Sequence, residues 1–304
     1  MEATEYIWMN GELVPWADAQ VHVLTHGLHY GTGIFEGIRA YETEKGAAVF
    51  RLTEHMERFV RGTKAIGMPL DYEAGELVEV CKEVLRVNAL KSGYIRPVAF
   101  YGLGSIGLNP AGADVHVAIA AWEWGAYLGE EGVKHGIRTA VSSWRRIDQQ
   151  SLMPNAKVTG GYINSVLAKT AAVKAGYDEA ILLNMNGVVA EGSGENLFVV
   201  RNGTVYSPPT SAGALDGITR DSVVIMLRDA GYDVVEQTIT RTDLYYADEL
   251  FMTGTAAEVT PVREVDDRAI GTGRPGPITR LAQKMFMDAV TGQDERYAAW
   301  LEYA

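Results

Sequence analysis

The pattern of apolar and polar residues along the chain predicts strands and helices that alternate irregularly, with several hairpins. Asn10-Gly11 tolerates positive φ and separates two short apolar runs, which predicts a hairpin over residues 5–16. Apolar positions at helical spacing predict a helix that starts at Thr53, the expected N-cap, and a second helix over 73–87. The other expected helices cover residues 162–176, 219–230 and the segment from Pro277 onward. The predicted strands cover residues 34–41, 93–102, 115–124, 137–143, 179–184, 187–190, 196–201 and 204–206.

This order of elements favours two α+β domains over a doubly wound parallel sheet. Between residues 125 and 136 the periodicity lapses into a glycine-rich stretch, which we interpret as an interdomain loop. The sequence therefore predicts a small N-terminal domain over residues 1–124 and a large C-terminal domain over residues 137–304. The length of 304 residues is enough for two such domains.

Composition narrows the class of protein. Hydrophobic residues make up 47% of the chain and charged residues 22%, which is typical of globular proteins. Cys81 is the only cysteine, so no intrachain disulfide can form and a reducing compartment is expected. Residues 1–10 lack the segments of a secretory signal, and no apolar stretch reaches the ~18–20 residues that cross a membrane, so we expect a soluble, cytoplasmic protein. The net charge of −12 argues against nucleic-acid binding, because the phosphates would be repelled.

Lys157 lies in unusual surroundings for a lysine. Its loop consists of small or uncharged residues, Met153-Pro154-Asn155-Ala156-Lys157-Val158-Thr159-Gly160-Gly161, and comes just before a predicted helix. Uncharged surroundings favour the neutral amine, which is the nucleophile that imine chemistry requires. An ordinary lysine of a surface loop is the alternative.

Residues 189–198, Val-Ala-Glu-Gly-Ser-Gly-Glu-Asn-Leu-Phe, place two glutamates around a Gly-Ser-Gly hinge at the end of a strand. The ring of pyridoxal 5'-phosphate (PLP) needs an acid against its pyridine nitrogen, because the protonated ring acts as an electron sink. Glu191 is the candidate for that role, and the glycines would let the backbone approach a ring closely. A glycine turn between two strands is the alternative.

A phosphate group also needs a binding site, and residues 213–221 run directly into a predicted helix. Backbone amides at that helix N-terminus, together with the Thr219 hydroxyl, suit a dianion, although a plain threonine N-cap is the alternative. Gly254-Thr255-Ala256 forms another turn whose amides could contact an anion. Arg58 could supply the compensating cation, unless it is a solvated arginine beside the neighbouring glutamates.

Tyr94 and Arg96 lie two residues apart on a predicted strand and therefore share one face, as Phe35 and Gly37 do on another strand. A phenol and a guanidinium that face the same way indicate a binding site for a carboxylate. Pro97, directly after them, indicates an edge strand or a bulge.

Two other kinds of site are disfavoured. His22, His26 and His29 match no zinc spacing, and no cysteine or carboxylate joins them, so no metal site is expected. The chain also lacks a Gly-x-Gly-x-x-Gly motif after a strand and a Walker-type loop, which argues against a nucleotide-binding module.

Taken together, these segments resemble the branched-chain amino-acid aminotransferases of the fold-type IV group of PLP enzymes. The resemblance runs from Tyr6-Ile7-Trp8 to the C-terminal helix, and its motifs all occur in order. The motifs are His29-Tyr30-Gly31-Thr32, Phe35-Glu36-Gly37-Ile38-Arg39, Glu54-His55-Met56-Glu57-Arg58, Tyr94-Ile95-Arg96-Pro97, Ala156-Lys157, Glu191-Gly192-Ser193-Gly194-Glu195-Asn196, Gly217-Ile218-Thr219-Arg220-Asp221 and Gly254-Thr255-Ala256-Ala257-Glu258.

The resemblance implies a C-terminal domain that binds PLP, and a role for each motif. Lys157 would hold the cofactor covalently and would move the α-proton of the substrate, while Glu191 would contact the pyridine nitrogen. The other implied cofactor-binding residues are Arg58, Tyr162, Leu215, Gly217, Ile218, Thr219, Gly254 and Thr255. The implied substrate-binding residues are Tyr30, Phe35, Gly37, Tyr94, Arg96, Leu108, Tyr127, Thr255 and Ala256. Tyr30 and Leu108 would reach in from a partner subunit, which implies a homodimer or a larger homo-oligomer.

The implied reaction transfers the amino group between branched-chain L-amino acids (leucine, isoleucine and valine) and 2-oxoglutarate. D-amino-acid transaminase, R-selective amine transaminase and 4-amino-4-deoxychorismate lyase share the fold, but their patterns fit Tyr30, Gly37 and Arg39 less well. A protein that only stores PLP is disfavoured because both Lys157 and Glu191 are present. The departures from the family pattern, such as Val158-Thr159 after the lysine, affect no implied chemical role.

Overall fold

The computed structural model of the chain describes residues 2–104, 107–125 and 128–304. Within these ranges the strands are β1 (Tyr6–Met9), β2 (Glu12–Pro15), β3 (Gly33–Phe35), β4 (Ile38–Thr43), β5 (Gly46–Phe50), β6 (Gly93–Tyr101), β7 (Val115–Trp122), β8 (Ile137–Val141), β9 (Glu179–Leu183), β10 (Val189–Gly192), β11 (Asn196–Arg201), β12 (Thr204–Ser207), β13 (Val234–Glu236), β14 (Glu249–Gly254), β15 (Glu258–Val265), β16 (Arg268–Ala269) and β17 (Leu301–Tyr303). The α-helices are α1 (His26–Tyr30), α2 (Leu52–Ala65), α3 (Ala74–Val87), α4 (Glu130–His135), α5 (Tyr162–Lys174), α6 (Ile218–Asp229), α7 (Arg241–Tyr245) and α8 (Pro277–Val290).

The chain divides into two compact units, which differ from the two expected sequence ranges. The first unit comprises Met1–Gly125, Ala156–Gly160 and Ala289–Ala304, and the second comprises Ala126–Asn155 and Gly161–Asp288. Two segments of the expected C-terminal domain therefore lie in the first unit. Val158 forms a bridge with Ile34, and β17 pairs with β5, which accounts for both segments.

The sheet of the first unit is antiparallel, in the order β17-β5-β4-β6-β7-β1-β2, with β3 also paired to β6. The hairpin over residues 5–16 is confirmed, and Asn10 and Gly11 have φ of 53° and 99°. Helices α2 and α3 pack together, and their apolar faces join the core through Met56, Phe59 and Leu77. The start of α3 is also confirmed, because Glu73 caps it.

Helix α2 begins earlier than its sequence predicts. Arg51, in a left-handed conformation with φ of 50°, is the N-cap, and Leu52 is the first helical residue. The amide of Thr53 donates instead to Glu302 Oε1 at 2.7 Å. The expectation that Thr53 caps this helix is therefore wrong. Thr53 lies inside the first turn, and the carboxylate of Glu302, on β17, accepts from its amide where a capping side chain would otherwise do so.

The predicted strand over residues 34–41 is interrupted at Glu36-Gly37. β3 and β4 pair with β6 in one register, with Phe35 opposite Val98 and Ile38 opposite Ile95. Glu36 donates its amide to the Pro97 carbonyl at 2.9 Å, but Pro97 has no amide hydrogen to return the bond. Pro97 lies in an interior strand between β4 and β7, so the prediction of an edge strand or a bulge is wrong.

The sheet of the second unit is mixed, in the order β10-β9-β8-β15-β14-β11-β12-β13, with β16 on β15. Three of its pairs are parallel, namely β8–β9, β8–β15 and β12–β13. Its core includes Ile181, Leu197 and Met252. These mixed and antiparallel sheets confirm the α+β prediction, although α4 lies inside the segment that was expected to be a loop. No helix in the described ranges is long and apolar enough to cross a membrane.

Candidate active site

Lys157 lies in the first unit, on a segment that is fastened to β3. Its carbonyl accepts a hydrogen bond from the Phe35 amide at 3.1 Å, and the next residue, Val158, forms a bridge with Ile34. The half-buried side chain places Nζ 4.9 Å from the centre of the Phe35 ring. Backbone pairing therefore fixes the point from which this amine extends, which an ordinary surface loop would not do.

Arg58 is buried and paired, so the alternative of a solvated arginine is wrong. Its Nε and Nη2 atoms donate to the two carboxylate oxygens of Glu36, at 2.7 Å and 2.9 Å. Glu36 is completely buried, and His55 Nδ1 lies 2.9 Å from the same carboxylate. His55 and Arg58 lie three residues apart on α2, so they project from one face of the helix.

The protonation of this cluster follows from its contacts. Burial alone would raise the pKa of Glu36, but the Arg58 charge and the His55 hydrogen bond lower it below the usual range. Burial lowers the pKa of His55, and the hydrogen bond to Glu36 reverses only part of that effect. The cluster therefore contains a carboxylate, a guanidinium and a neutral imidazole at neutral pH. Because a carboxylate only accepts, the imidazole proton is assigned to Nδ1.

Tyr94 and Arg96 lie side by side on β6, as their spacing predicts. Arg96 Nη2 lies 3.4 Å from the Tyr94 hydroxyl, and the guanidinium also stacks at 5.0 Å from the Phe35 ring centre. Arg96 Nε is buried, and no described residue accepts a hydrogen bond from it. Gly37 leaves room for the Tyr94 hydroxyl, because an added Cβ would lie 1.9 Å from that oxygen. A buried donor without an acceptor fits a site for an anionic ligand group.

Glu191 lies in the second unit, on β10, and its carboxylate is held from several sides. Arg146 Nη2 lies 2.8 Å from Oε1, and the Leu215 amide donates to Oε2 at 2.8 Å. Asn196 Nδ2 lies 3.3 Å from Oε2 and 2.9 Å from the Leu215 carbonyl. Arg146 and Glu191 are both 7% exposed, and the buried cation favours an ionised carboxylate.

Glu195, the other glutamate of the Gly-Ser-Gly hinge, has a different environment. It is buried, and its Oε2 accepts a hydrogen bond from the Gly194 amide at 3.1 Å. Burial, together with the negative charge of Glu179, raises its pKa to about 8. Glu179 itself is paired with Lys169 at 2.6 Å. Glu195 is therefore protonated at neutral pH.

The start of α6 matches the expected anion site more closely than it matches a threonine cap. Gly217 is the N-cap and makes no side-chain capping bond, while Ile218 and Thr219 are the first helical residues. Gly217 is required by packing, because an added Cβ would lie 1.9 Å from Asn196 Oδ1. The alternative of a Thr219 N-cap is wrong, and α6 presents a helix N-terminus without a side-chain cap.

The remaining candidates take these positions. Gly254 ends β14, and the half-buried Thr255 and Ala256 form the turn into β15. Tyr162 is the first residue of α5. Tyr30 and Leu108 are exposed, with 42% and 81% of their surfaces accessible to solvent. Tyr127 lies outside the described residues.

The histidines near the N-terminus make structural contacts. His26 is buried, with Nδ1 2.7 Å from Thr32 Oγ1 and Nε2 2.9 Å from the Gly107 carbonyl. His29 Nε2 lies 2.9 Å from the Val23 carbonyl. Among the described residues no group of three or more His, Cys, Asp or Glu side chains could bind a metal ion.

Residues 33–265 match the family described as amino-transferase class IV. Of the candidate cofactor- and substrate-binding residues, Tyr30 alone lies outside this range. The chain belongs to this family. Its relatives are similar over nearly their whole length. The branched-chain-amino-acid aminotransferase of Pseudomonas aeruginosa is 49% identical over 294 residues, which cover 97% of this chain and 95% of that protein.

Solved structures of branched-chain amino acid aminotransferases have the same fold. The Escherichia coli branched-chain amino acid aminotransferase aligns with a TM-score of 0.97 and 47% identity, over 99% of both chains. The T.th. branched-chain amino acid aminotransferase with pyridoxamine 5'-phosphate aligns with a TM-score of 0.96 and 51% identity, over 100% of this chain and 99% of that chain. Mixed sheets and helices of fold type IV are therefore shown for this aminotransferase.

The sequence did not assign a role to four residues that this aminotransferase places in the two clusters. Arg146 and Asn196 contact Glu191. Glu36 contacts Arg58, and His55 contacts Glu36. The signal that could have found them is charge balance. A buried charged side chain needs a partner of opposite charge, but the sequence does not say which distant residue provides it.

Proposed function

We propose that this class IV aminotransferase uses PLP to transfer amino groups between the branched-chain L-amino acids leucine, isoleucine and valine and 2-oxoglutarate. The products are the branched 2-oxo acids and L-glutamate. The observation that carries this proposal is the Glu191 carboxylate, which Arg146 holds at 2.8 Å, in a chain that also has Lys157 on a fixed segment. The relatives named above support the choice of substrate.

The donor set fits PLP. A phosphate dianion suits a buried arginine and a helix N-terminus without a side-chain cap, which are the properties of Arg58 and α6. Glu191 would contact the pyridine nitrogen, and the Tyr162 hydroxyl would bond the ring hydroxyl. The further cofactor-binding residues of this proposal are Lys157, Leu215, Gly217, Ile218, Thr219, Gly254 and Thr255.

Bound PLP supplies an electron sink for the charge that develops on the substrate α-carbon. Glu191 would keep the pyridine nitrogen protonated, which strengthens that sink. Nζ of Lys157 would hold the cofactor covalently before the substrate arrives and would then carry the α-proton as a general base and acid. The neutral amine is the form that accepts the proton.

Two carboxylate sites would orient the substrate. Tyr94, with the amides of Thr255 and Ala256, would bind the α-carboxylate shared by every substrate. Arg96 would meet the second carboxylate of glutamate, because a buried carboxylate without a partner is very costly. Phe35, Gly37 and Tyr127 would provide the apolar wall for a branched side chain. Structures of the T.th. enzyme with N-(5'-phosphopyridoxyl)-L-glutamate and with 4-methylvaleric acid support one site for both kinds of side chain.

We also propose that the protein is a homodimer or a larger homo-oligomer. In the first unit Val23, Leu28 and Leu108 are exposed by 67%, 64% and 81%. Exposed apolar groups of this size mark interaction surfaces when they lie together. Leu108 and Tyr30 would then complete the substrate site of the partner subunit. The cytoplasmic location expected from the single cysteine, Cys81, stays a proposal.

The spectrum of the purified protein tests the function. Bound PLP absorbs visible light, and L-leucine should bleach that band as the amino group moves to the cofactor. D-alanine should leave it unchanged. Bleaching by D-alanine or by an R-configured amine instead would contradict the proposal and would favour the other transaminases of this fold.

A further inference from the structure

Glu36 and His55 form a buried assembly with Arg58 for which the reaction itself supplies no use. Glu36 accepts both hydrogen bonds from one edge of the Arg58 guanidinium, and it also accepts from His55 and, at 3.2 Å, from the Gly37 amide. All three residues are buried. Such an arrangement fixes the plane of the guanidinium, because a bidentate pair allows little rotation.

The same assembly is fastened to the segment of Lys157. Glu36 directly follows Phe35, whose amide donates to the Lys157 carbonyl at 3.1 Å. Glu36 also donates its own amide to the Pro97 carbonyl at 2.9 Å. Glu36, which orients Arg58, is therefore the neighbour in sequence of Phe35, whose amide holds the Lys157 backbone.

We propose that Glu36 and His55 are positioning residues for the phosphate of the cofactor: His55 holds Glu36, Glu36 holds the guanidinium plane of Arg58, and the pair thereby raises the affinity for the phosphate group. This inference rests on the proposed function, in which Arg58 binds that phosphate. A guanidinium has five N–H groups. Glu36 uses two of them, along one edge. In the proposed function the phosphate contacts this same guanidinium, so its affinity depends on how the guanidinium plane is held.

An argument from net charge predicts the opposite change in phosphate affinity, so the direction of that change tests the positioning role. Glu36 neutralises Arg58, and His55 is neutral because burial lowers its pKa. If charge alone set the affinity, replacing Glu36 by glutamine would leave Arg58 uncompensated and would strengthen phosphate binding. If position sets it, the same replacement weakens phosphate binding, because one of the two oriented bonds is lost.

The experiment compares PLP with pyridoxal, which lacks only the phosphate. Equilibrium affinities for both are measured from the visible absorbance of the full-length protein, and their ratio gives the preference for the phosphate. Glu36→Gln and His55→Leu should each reduce this ratio about 10-fold or more, the scale of one hydrogen bond to a charged group. His55→Asn keeps an N–H donor near the position of Nδ1 and should retain most of the preference.

A matched control separates positioning from general damage to α2. Thr63 is a buried polar residue of the same helix whose hydroxyl contacts the Val60 carbonyl, not Glu36. Thr63→Val should lower the thermal midpoint without changing the affinity ratio. His55→Leu and Glu36→Gln should also combine to less than the product of their separate effects, because both act through Arg58.

The outcomes distinguish the inference from the function on which it rests. A ratio that rises in Glu36→Gln, or that stays constant in His55→Leu, overturns the positioning role. If Glu36→Gln does not fold, the comparison of His55→Leu with His55→Asn still decides the question. A wild-type protein that binds PLP no better than pyridoxal contradicts the phosphate role of Arg58 itself.

Discussion

Glu36 in the first unit and Glu195 in the second are both buried, yet their ionisation is opposite. Glu36 is 0% exposed and accepts hydrogen bonds from Arg58 and His55, and its pKa is lowered. Glu195 is 3% exposed, and in the described part of the chain its carboxyl accepts one hydrogen bond, from the Gly194 amide. Its pKa is raised to about 8. Burial is common to both, so the contacting charge decides which form each carboxyl takes.

The clusters around these two glutamates differ in the same way. In the first unit Glu36 lies among cations, with Arg58 in contact and the Lys157 charge near enough to lower the pKa of His55. In the second unit Glu195 lies among acids, because Glu179 and Glu191 both raise its pKa. In a chain with a net charge of −12, the charges near each glutamate, and not the overall charge, therefore set its ionisation.

Replacing Lys157 in the first unit should have the largest effect on turnover. Lys157→Ala should lose the covalent link and the proton carrier together, so turnover with leucine should fall by at least ~10³-fold, within the range of general acid–base catalysis. PLP should still bind through Arg58, but without covalent attachment. Steady-state rates and borohydride reduction of the bound cofactor measure both effects.

The control for this variant is Lys64→Ala, which changes an exposed lysine of α2 in the same unit. It should keep normal turnover and normal borohydride labelling. Near-normal transamination by Lys157→Ala, or labelling at another lysine in the wild type, would remove Lys157 from its assigned role.

Replacing Glu191 tests the acid of the second unit. Glu191→Gln keeps the size of the side chain but removes the charge that Arg146 balances at 2.8 Å. The exchange of the leucine α-proton with solvent should slow by about 10²–10³-fold, the scale of losing one preorganised electrostatic partner. The affinity for PLP should change much less, because the phosphate contacts remain. Unchanged α-proton exchange would make Glu191 a structural carboxylate only.

The sequence predicted the local parts of both regions, because local chemistry sets them. The Asn10-Gly11 turn and the start of α3 near residue 73 depend on neighbouring residues, and both occur as expected. The interruption at Glu36-Gly37 was missed, because its cause, Pro97, lies on another strand. Periodicity alone cannot reveal which strand will lie opposite.

Long-range partners account for the contacts that the sequence left unassigned. The N-terminus of α8 is capped by Glu249, whose Oε2 accepts from the Thr279 amide at 2.7 Å from 30 residues away. Arg146 reaches Glu191 across an even longer stretch of sequence. The motifs named Lys157, Glu191 and Arg58 directly, but the charged partners of Glu191 and Arg58 could be found only after the strands were in place.

Arg96 tests whether the cation-rich unit also distinguishes substrates. Arg96→Leu should weaken the half-reaction with glutamate and 2-oxoglutarate by roughly 10–150-fold in binding, the cost of a lost hydrogen bond to a charged group. The leucine half-reaction should change far less, since no second carboxylate is present. Single-turnover rates of each half-reaction, measured separately, decide between these outcomes.

Arg96→Lys is the matched control, because it keeps the charge but loses the planar group that stacks on Phe35 at 5.0 Å. It should recover part of the glutamate half-reaction. If Arg96→Leu slows both half-reactions equally, Arg96 positions the shared α-carboxylate or supports the fold, and the site for the second carboxylate lies elsewhere.

Glu195→Gln has the smallest expected effect, and it tests whether burial among acids sets the protonation of a carboxyl. The pKa of the Glu195 carboxyl is about 8 in the folded protein, against an ordinary value of 4.5. Between these two values the folded state binds one more proton than the unfolded state, so the free energy of unfolding falls as pH rises. Glu195→Gln removes this titration. Its stability relative to wild type should therefore increase by about 1.4 kcal/mol per pH unit between pH 6 and pH 7.

Urea unfolding at several pH values measures the stability difference between Glu195→Gln and the wild type. A difference that grows as pH rises indicates a raised pKa of Glu195. Below pH 4.5 the carboxyl is protonated in both states, so the pH-dependent penalty of the wild type is absent there. Glu130→Gln, which alters an exposed glutamate of α4 in the same unit, should show no such slope. A Glu195→Gln protein whose stability follows that of the wild type at every pH would mean that Glu195 is ionised when folded. Burial among acids would then not have raised its pKa.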